Sequence, residues 1–188
     1  MAGRPRITSI TRTEARHDMS LIRRRRKKRG WDDQPAAPCS ILLASDGRRG
    51  FSKRAIAKAI ALQDAGPVAV ITVAKIHGTQ FGLPNPGLMP TKQELKARHD
   101  WVGTAVDAVL AAGGEADGQV AVTRKATKTL ARIARTRQPR TIVIDETQYG
   151  GLRRLIEGDV GSELARKLRG DGIDVIVVPY DPEDPKWP

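Results

Sequence analysis

The sequence predicts a doubly wound α/β domain, a parallel sheet covered by helices on both faces. Three observations carry this. Short β-branched apolar runs recur five times along the chain. Each is separated from the next by a stretch with helical apolar period. Glycine, proline or a capping residue stands at nearly every junction. Strands buried on both faces read as continuous apolar runs, and strands alternating with helices give parallel sheets with right-handed crossovers.

Ser40–Ala44 is the first strand. Ser52 is placed to N-cap a helix whose apolar side holds Ala55, Ile56, Ala59, Ile60 and Leu62, with Gly66 closing it. Val68–Val73 is the second strand. A Gly- and Pro-rich loop, His77–Pro90, follows and is longer than most αβ connections. Thr91 and Glu94 have capping-box spacing and open a helix with Leu95, Val102, Val106 and Val109 at helical period, ended by Gly113-Gly114. Gln119–Thr123 is the third strand, Thr127–Arg137 the third helix and Thr141–Ile144 the fourth strand. Gly158–Leu168 is the fourth helix, with Gly170 and Gly172 marking its end. Asp174–Val178 is the fifth strand, stopped by Pro179. The domain is expected over residues 38–180, between a basic arm and linker (1–37) and a Pro-rich tail (181–188).

The 188-residue chain has a formal charge of +12, unevenly spread. Residues 1–34 hold 11 Lys/Arg against 4 Asp/Glu; the remaining residues hold 22 against 17. The centre of the arm is the run Arg23, Arg24, Arg25, Arg26, Lys27, Lys28 and Arg29, which repels itself unless a polyanion neutralises it. Seven such cations suit phosphates, so RNA, a ribosome or DNA is the expected partner. Trp31 is placed either to stack on an exposed base or to pack against the domain. Lys128, Arg132 and Arg135 share one face of the third helix and extend this candidate nucleic-acid surface, a solvated outer face being the alternative. With two Phe and two Tyr in the chain, an aromatic base-reading platform is not supported, and contacts are expected to be phosphate-driven. Docking of the arm on anionic lipid is disfavoured, because the arm lacks an amphipathic face.

No apolar run approaches the length of a membrane span, and no apolar segment follows the basic N-terminus as in a secretory signal. The single cysteine, Cys39, cannot form an intrachain disulfide, which suits a cytoplasmic location; it precedes an apolar run and is expected to be buried.

Two blocks, "SILLASDGRRGFSKRAIAKAIAL" (40–62) and "TIVIDETQYGGLRRLIEGDVGSELARKLRGDGIDVIVVPY" (141–180), resemble the first and last thirds of a universal stress protein domain. The resemblance spans roughly residues 38–180. It implies a five-stranded parallel sheet of order 3-2-1-4-5, a homodimer through the last strand and a stress-related role. It also places a ligand site at the ends of the first and fourth strands, where Asp46 matches the residue that contacts adenosine. The candidate site takes in Asp46, Gly47, Val73, Asp145, Gly158 and Asp159.

ATP-binding members carry Gly-x2-Gly-x9-Gly-Ser/Thr after strand four. Its glycines let backbone N–H groups approach phosphates, and its hydroxyl donates at the helix start. Aligned through "GLRRL", the positions fall on Asp145, Gln148, Gly158 and Asp159, so two of three glycines and the hydroxyl are lost. Asp145, Glu146 and Asp159 are expected to oppose a triphosphate, since like charges ~4 Å apart at an effective dielectric near 20 repel by about 4 kcal/mol. No cofactor is therefore expected, ATP or ADP being the alternative that the degenerate motif leaves open. No metal is expected, as no zinc-ligand spacing is present.

No nucleophile or oriented histidine accompanies Asp46, Asp145 and Glu146, and "ASDGRRG" lacks the Gly-Lys-Ser/Thr ending of a P-loop. The sequence thus points to a non-catalytic protein that attaches through its arm to RNA, a ribosome or DNA. A weak ATPase is the enzymatic alternative, and a module holding an adenine nucleotide at the strand 1/strand 4 mouth is the competing function.

Overall fold

The computed structural model describes residues 37–76, 89–146 and 159–179. The basic run, Trp31, the loop after the second strand, Gly158 and the C-terminal tail lie outside them. Five strands, β1 (Ile41–Ser45), β2 (Val68–Lys75), β3 (Ala116–Thr123), β4 (Thr141–Asp145) and β5 (Asp174–Val178), form one parallel sheet of order β3-β2-β1-β4-β5. Among the described residues, four helices lie in the crossovers: α1 (Lys53–Leu62), α2 (Lys92–Ala111), α3 (Ala126–Arg137) and α4 (Val160–Leu168). The five-stranded sheet and its order are those the sequence and its resemblance imply.

Alternation along each central strand feeds two cores. Ile41 and Leu43 of β1, Val70 of β2 and Val143 of β4 pack with Ile56 of α1 and Val102 and Val106 of α2. Leu42 and Ala44, Ile71 and Val73, and Ile142 and Ile144 face the other way, against Leu130 of α3 and Leu164 of α4. Burial on both faces is why the strands read as unbroken apolar runs.

The junctions follow the capping rules. Ser52 caps α1 by accepting from the Ala55 N–H, and Thr91 and Glu94 form the reciprocal capping box at α2. Past the helix ends, Gly113 (φ +83°) and Gly172 (φ +68°) take the left-handed conformation. Gly66 does not close α1: the helix ends at Leu62, and Gln63 bridges to the Gly66 and Glu115 carbonyls.

Several boundaries differ from expectation. β1 is shifted one residue later, and β4 reaches Asp145. β2 runs two residues further, to Lys75. β3 starts three residues earlier, at Ala116, although Asp117 and Gly118 have low strand propensity. Tertiary contacts override that propensity. A Cβ at Gly118 would lie 2.3 Å from Val102 Cγ1, so glycine permits α2 to seat closely. Asp117 binds the buried Arg137 of α3 through two bonds of 2.7 and 2.5 Å, while Arg137 Nε donates to the Ala37 carbonyl at 3.1 Å.

Cys39 is buried beside that pair, its N–H donating to the Arg137 carbonyl. Burial pushes its thiol up to about 11, against a smaller opposing pull from Arg137. The thiol is therefore protonated at neutral pH, which fits a packing role and not a reactive one.

Asp117→Ala leaves the Arg137 guanidinium, 4 % exposed, without its carboxylate. Breaking a fully buried pair costs about 3–5 kcal/mol, but Asp117 is 41 % exposed and partly screened, so the expected loss is about 1–3 kcal/mol in urea unfolding. Asp64→Ala, which removes the partner of exposed Arg140, is expected to cost less than about 0.5 kcal/mol. Equal losses would show that Arg137 does not depend on Asp117.

Candidate functional site

β1 and β4 are neighbours in the sheet, but from β1 the chain proceeds to β2 on one side, and from β4 to β5 on the other. Their C-terminal ends therefore flank the topological switch point, where open α/β sheets bind ligands. The connection from Asp46 to Ser52 forms one wall.

That connection is tied down from within. Ser45 Oγ donates to the Arg49 carbonyl at 2.9 Å and accepts from the Gly47 N–H at 3.2 Å. Asp46 Oδ1 accepts from the Arg48 N–H at 3.0 Å. Asp46 Oδ2 is 3.2 Å from Arg48 Nε, an ion pair by distance, yet this oxygen is buried and has no hydrogen bond of acceptable geometry. The Asp46 side chain is 8 % exposed.

Gly47 is obligatory. Its φ is +79°, and a Cβ there would lie 1.6 Å from the Val73 carbonyl oxygen. The end of β1 thus presses directly on β2 at Val73. On the outer side, the Gly47 carbonyl accepts from Arg98 Nη2 of α2 at 2.9 Å, and the Arg98 guanidinium lies 4.9 Å from the Trp101 ring centre. Arg98 Nε and Thr72 Oγ1 are, like Asp46 Oδ2, buried without a hydrogen bond.

The acids expected to crowd the mouth have other occupations. Asp145 accepts from the Ser52 N–H at 2.9 Å and takes a very short bond from the Ser52 hydroxyl, so it extends the α1 cap. Asp159 is the α4 N-cap, accepting from the N–H groups of Gly161 and Ser162 at 3.2 and 3.0 Å and from Ser162 Oγ at 2.6 Å. Each carboxylate fills a helix N-terminus, and these are the groups a phosphate would otherwise use. The backbone of Glu146 donates to the Val178 carbonyl and accepts from Arg49 Nη2 at 2.9 Å. Asp145, Glu146 and Asp159 are the three acids expected to oppose a triphosphate. Two of them carry their charge into backbone N–H groups, and the obstacle to phosphate at α4 is occupancy of its donors.

Asp46, Gly47, Val73 and Asp145 come together at the ends of β1, β2 and β4, with Asp159 at the start of α4; Gly158 lies outside the described residues. On α3, Lys128 and Arg132 are exposed, whereas Arg135 pairs with Asp171 at 2.9 Å and donates to the Lys167 carbonyl at 3.0 Å. Sequence reasoning missed Arg49 and Arg98, which span the mouth and its rim. The signal for Arg49 was present in "ASDGRRG", but its direction depends on the loop conformation. Among the described residues, no group of three or more His, Cys, Asp or Glu is arranged to hold a metal.

These features define a doubly wound α/β module whose switch point lies between the C-terminal ends of β1 and β4. Neither a protein-family model nor a curated protein matches the chain. Solved structures do. Universal stress protein UspA from Lactobacillus plantarum superposes with a TM-score of 0.56 at 15% identity, covering 76% of this chain and 99% of its own. A universal stress protein in complex with cAMP gives 0.54 at 17%, covering 78% and 100%. The Archaeoglobus fulgidus universal stress protein in complex with dAMP gives 0.51 at 20%, covering 77% and 98%. The chain has the universal stress protein fold, as the sequence resemblance implied.

Gly47→Ala is expected to cost upwards of about 2 kcal/mol, from the left-handed φ and the forced displacement of β2. Gly103→Ala in mid-α2, where a Cβ meets nothing within 4 Å, is expected to stabilise by about 0.5–1 kcal/mol. Urea midpoints of the two variants should therefore move in opposite directions; a neutral Gly47→Ala would mean that the β1 turn is not held against Val73.

Proposed function

We propose that this chain is a non-catalytic universal stress protein-like module that holds an adenine nucleoside or its monophosphate at the β1/β4 mouth. The observation that carries this reading is Asp46 Oδ2, a buried carboxylate oxygen without a hydrogen bond at the switch point. Such an atom is costly to leave unsatisfied, and a sugar hydroxyl or exocyclic amine supplies the missing donor. Two structures sharing the fold hold cAMP and dAMP, which supports a ligand of this class. A triphosphate is a poorer match, because Asp159 already takes the N–H groups at the start of α4.

Calorimetry with adenosine, AMP and ATP tests this. Adenosine and AMP are expected to bind, ATP more weakly than AMP, and Asp46→Ala is expected to weaken adenosine by about tenfold or more. Failure of both adenosine and AMP to bind the unaltered chain would sink the reading.

A second function rests on the charge distribution. Seven of the twelve excess positive charges fall in residues 1–34, and Lys128 and Arg132 are exposed on α3. In this reading the basic run Arg23–Arg29 attaches the module to RNA, a ribosome or DNA, in a cytoplasmic and stress-related setting. The module is a homodimer paired along β5, a strand at the edge of the sheet. RNA affinity is expected to fall roughly 10³-fold between 50 and 200 mM salt if about six phosphates are neutralised. It should collapse when all seven cations are replaced by Gln in the full chain, while both proteins sediment at twice the chain mass. Salt-independent binding, or binding that survives the replacement, would remove the arm from the mechanism.

A further inference from the structure

α3 and α4 cover the same face of the sheet, with Leu130 of one and Leu164 and Leu168 of the other in a single core. Two sets of contacts join the helices side by side. Near their starts, Thr127 Oγ1 donates to Glu163 Oε2 at 2.8 Å. Near their ends, Arg135 donates to the Lys167 carbonyl at 3.0 Å and pairs with Asp171 at 2.9 Å. The two helices therefore run in the same direction, as right-handed crossovers on one face require. Their outer surface is a slab two helices wide and, over the 12 residues of α3, about 18 Å long.

That surface is positive. Lys128 and Arg132, one turn apart on α3, are both exposed, away from the buried Leu130, Ala131 and Ala134. Arg166 and Arg169 are exposed at the end of α4, and Arg124 and Lys125 just ahead of α3. None of these six side chains makes a hydrogen bond or an ion pair within 4 Å among the described residues. The acids of the layer are engaged elsewhere. Asp159 caps α4, Asp171 pairs with Arg135, and Glu163 is held by Thr127 and Lys167, with a weaker pull from Arg166. Across the sheet the charges are mixed: α2 sets Glu94, Asp100 and Asp107 among Lys92, Lys96 and Arg98, and the excess there comes from Lys53, Arg54 and Lys58 of α1.

We propose that the outer face of α3 and α4 docks on the phosphate backbone of a nucleic-acid double helix. This deepens the second reading above: it gives the polyanion a contact on the folded domain and names its form. Charge complementarity selects the partner, since a duplex carries one negative charge per about 1.7 Å of its axis and cations that neutralise it release counterions. Neither helix carries an aromatic residue, so the base stacking on which single-strand binding draws is missing. Neither carries Asn or Gln to read adenine, and the contacts fall on phosphates without sequence preference. Cations fixed on two packed helices suit the fixed phosphates of a duplex. A bilayer needs apolar anchors as well, and no large apolar side chain of α3 or α4 is exposed.

Fluorescence anisotropy on the full chain decides this, with a short DNA duplex and one of its single strands as probes. Combining Lys128→Gln, Arg132→Gln and Arg166→Gln is expected to weaken duplex binding by at least about tenfold. It should also flatten the slope of log affinity against log salt by about 3, one for each lost phosphate contact. The same charge removed across the sheet, by Lys53→Gln, Lys58→Gln and Lys92→Gln together, should change the slope by less than about 1. Equal urea midpoints for the two triple variants show that both remain folded. Equal weakening by the two overturns the inference, because net charge alone then sets the affinity. So does duplex binding that is lost when the basic run is neutralised and kept when α3 and α4 are, a result that leaves the arm reading standing. The reverse result supports the α3/α4 face and removes the arm. A single strand that loses as much affinity as the duplex overturns the choice of partner, as does binding of phosphatidylserine vesicles without binding of the duplex.

Discussion

The carboxylate of Asp145 joins the last residue of β4 to the first turn of α1. It accepts both the N–H and the hydroxyl of Ser52, and Ser52 in turn caps α1 through the Ala55 N–H. The β1–α1 connection is thereby held at two ends: at Ser45, within the sheet, and at Ser52, against the neighbouring strand. Asp46, Gly47 and Arg49 lie between those two points. Asp46 turns back on the Arg48 N–H, Gly47 presses on the Val73 carbonyl, and Arg49 crosses to Glu146. A connection fixed only through β1 would leave these groups free to move into water, and the buried oxygen of Asp46 would lose its position.

The same clamp changes the electrostatics of the site. A carboxylate at a helix N-terminus is stabilised by unsatisfied N–H groups and by the helix dipole, and in that position it consumes the groups that would attract a phosphate. Asp145 and Asp159 both do this. They belong to the scaffold, while Arg49 of the β1–α1 loop and Arg98 of α2 bind carbonyls at its edge. Among the described residues, the helix N-termini beside the switch point are filled by Asp145 and Asp159, and Arg49 and Arg98 stand at the end of β1.

The fold was legible because its signals are local and repeated. Five β-branched runs, the Ser52 cap, the Thr91–Glu94 capping box and the glycines after α2 and α4 all agree with one another, and the structure places each of those caps and strands within a few residues of expectation. The largest miss, the start of β3, falls on Asp117 and Gly118. Propensity argues against a strand there, and contacts distant in sequence, to Arg137 and Val102, decide otherwise. The site was half legible. Asp46, Asp145 and Asp159 were visible as acids at strand and helix ends, but their partners were not.

Residue order alone established the alternation of strands and helices, the parallel sheet and the concentration of positive charge in the first 34 residues, since these follow from periodicity and composition along the chain. Only the tertiary structure decided which acids are caps, which arginine crosses the mouth and which carboxylate oxygen is left without a hydrogen bond. Hydrogen bonds and ion pairs at the switch point join groups as far as 97 positions apart, as Arg49 and Glu146 are, and their geometry exists only once the sheet has brought β1 and β4 together.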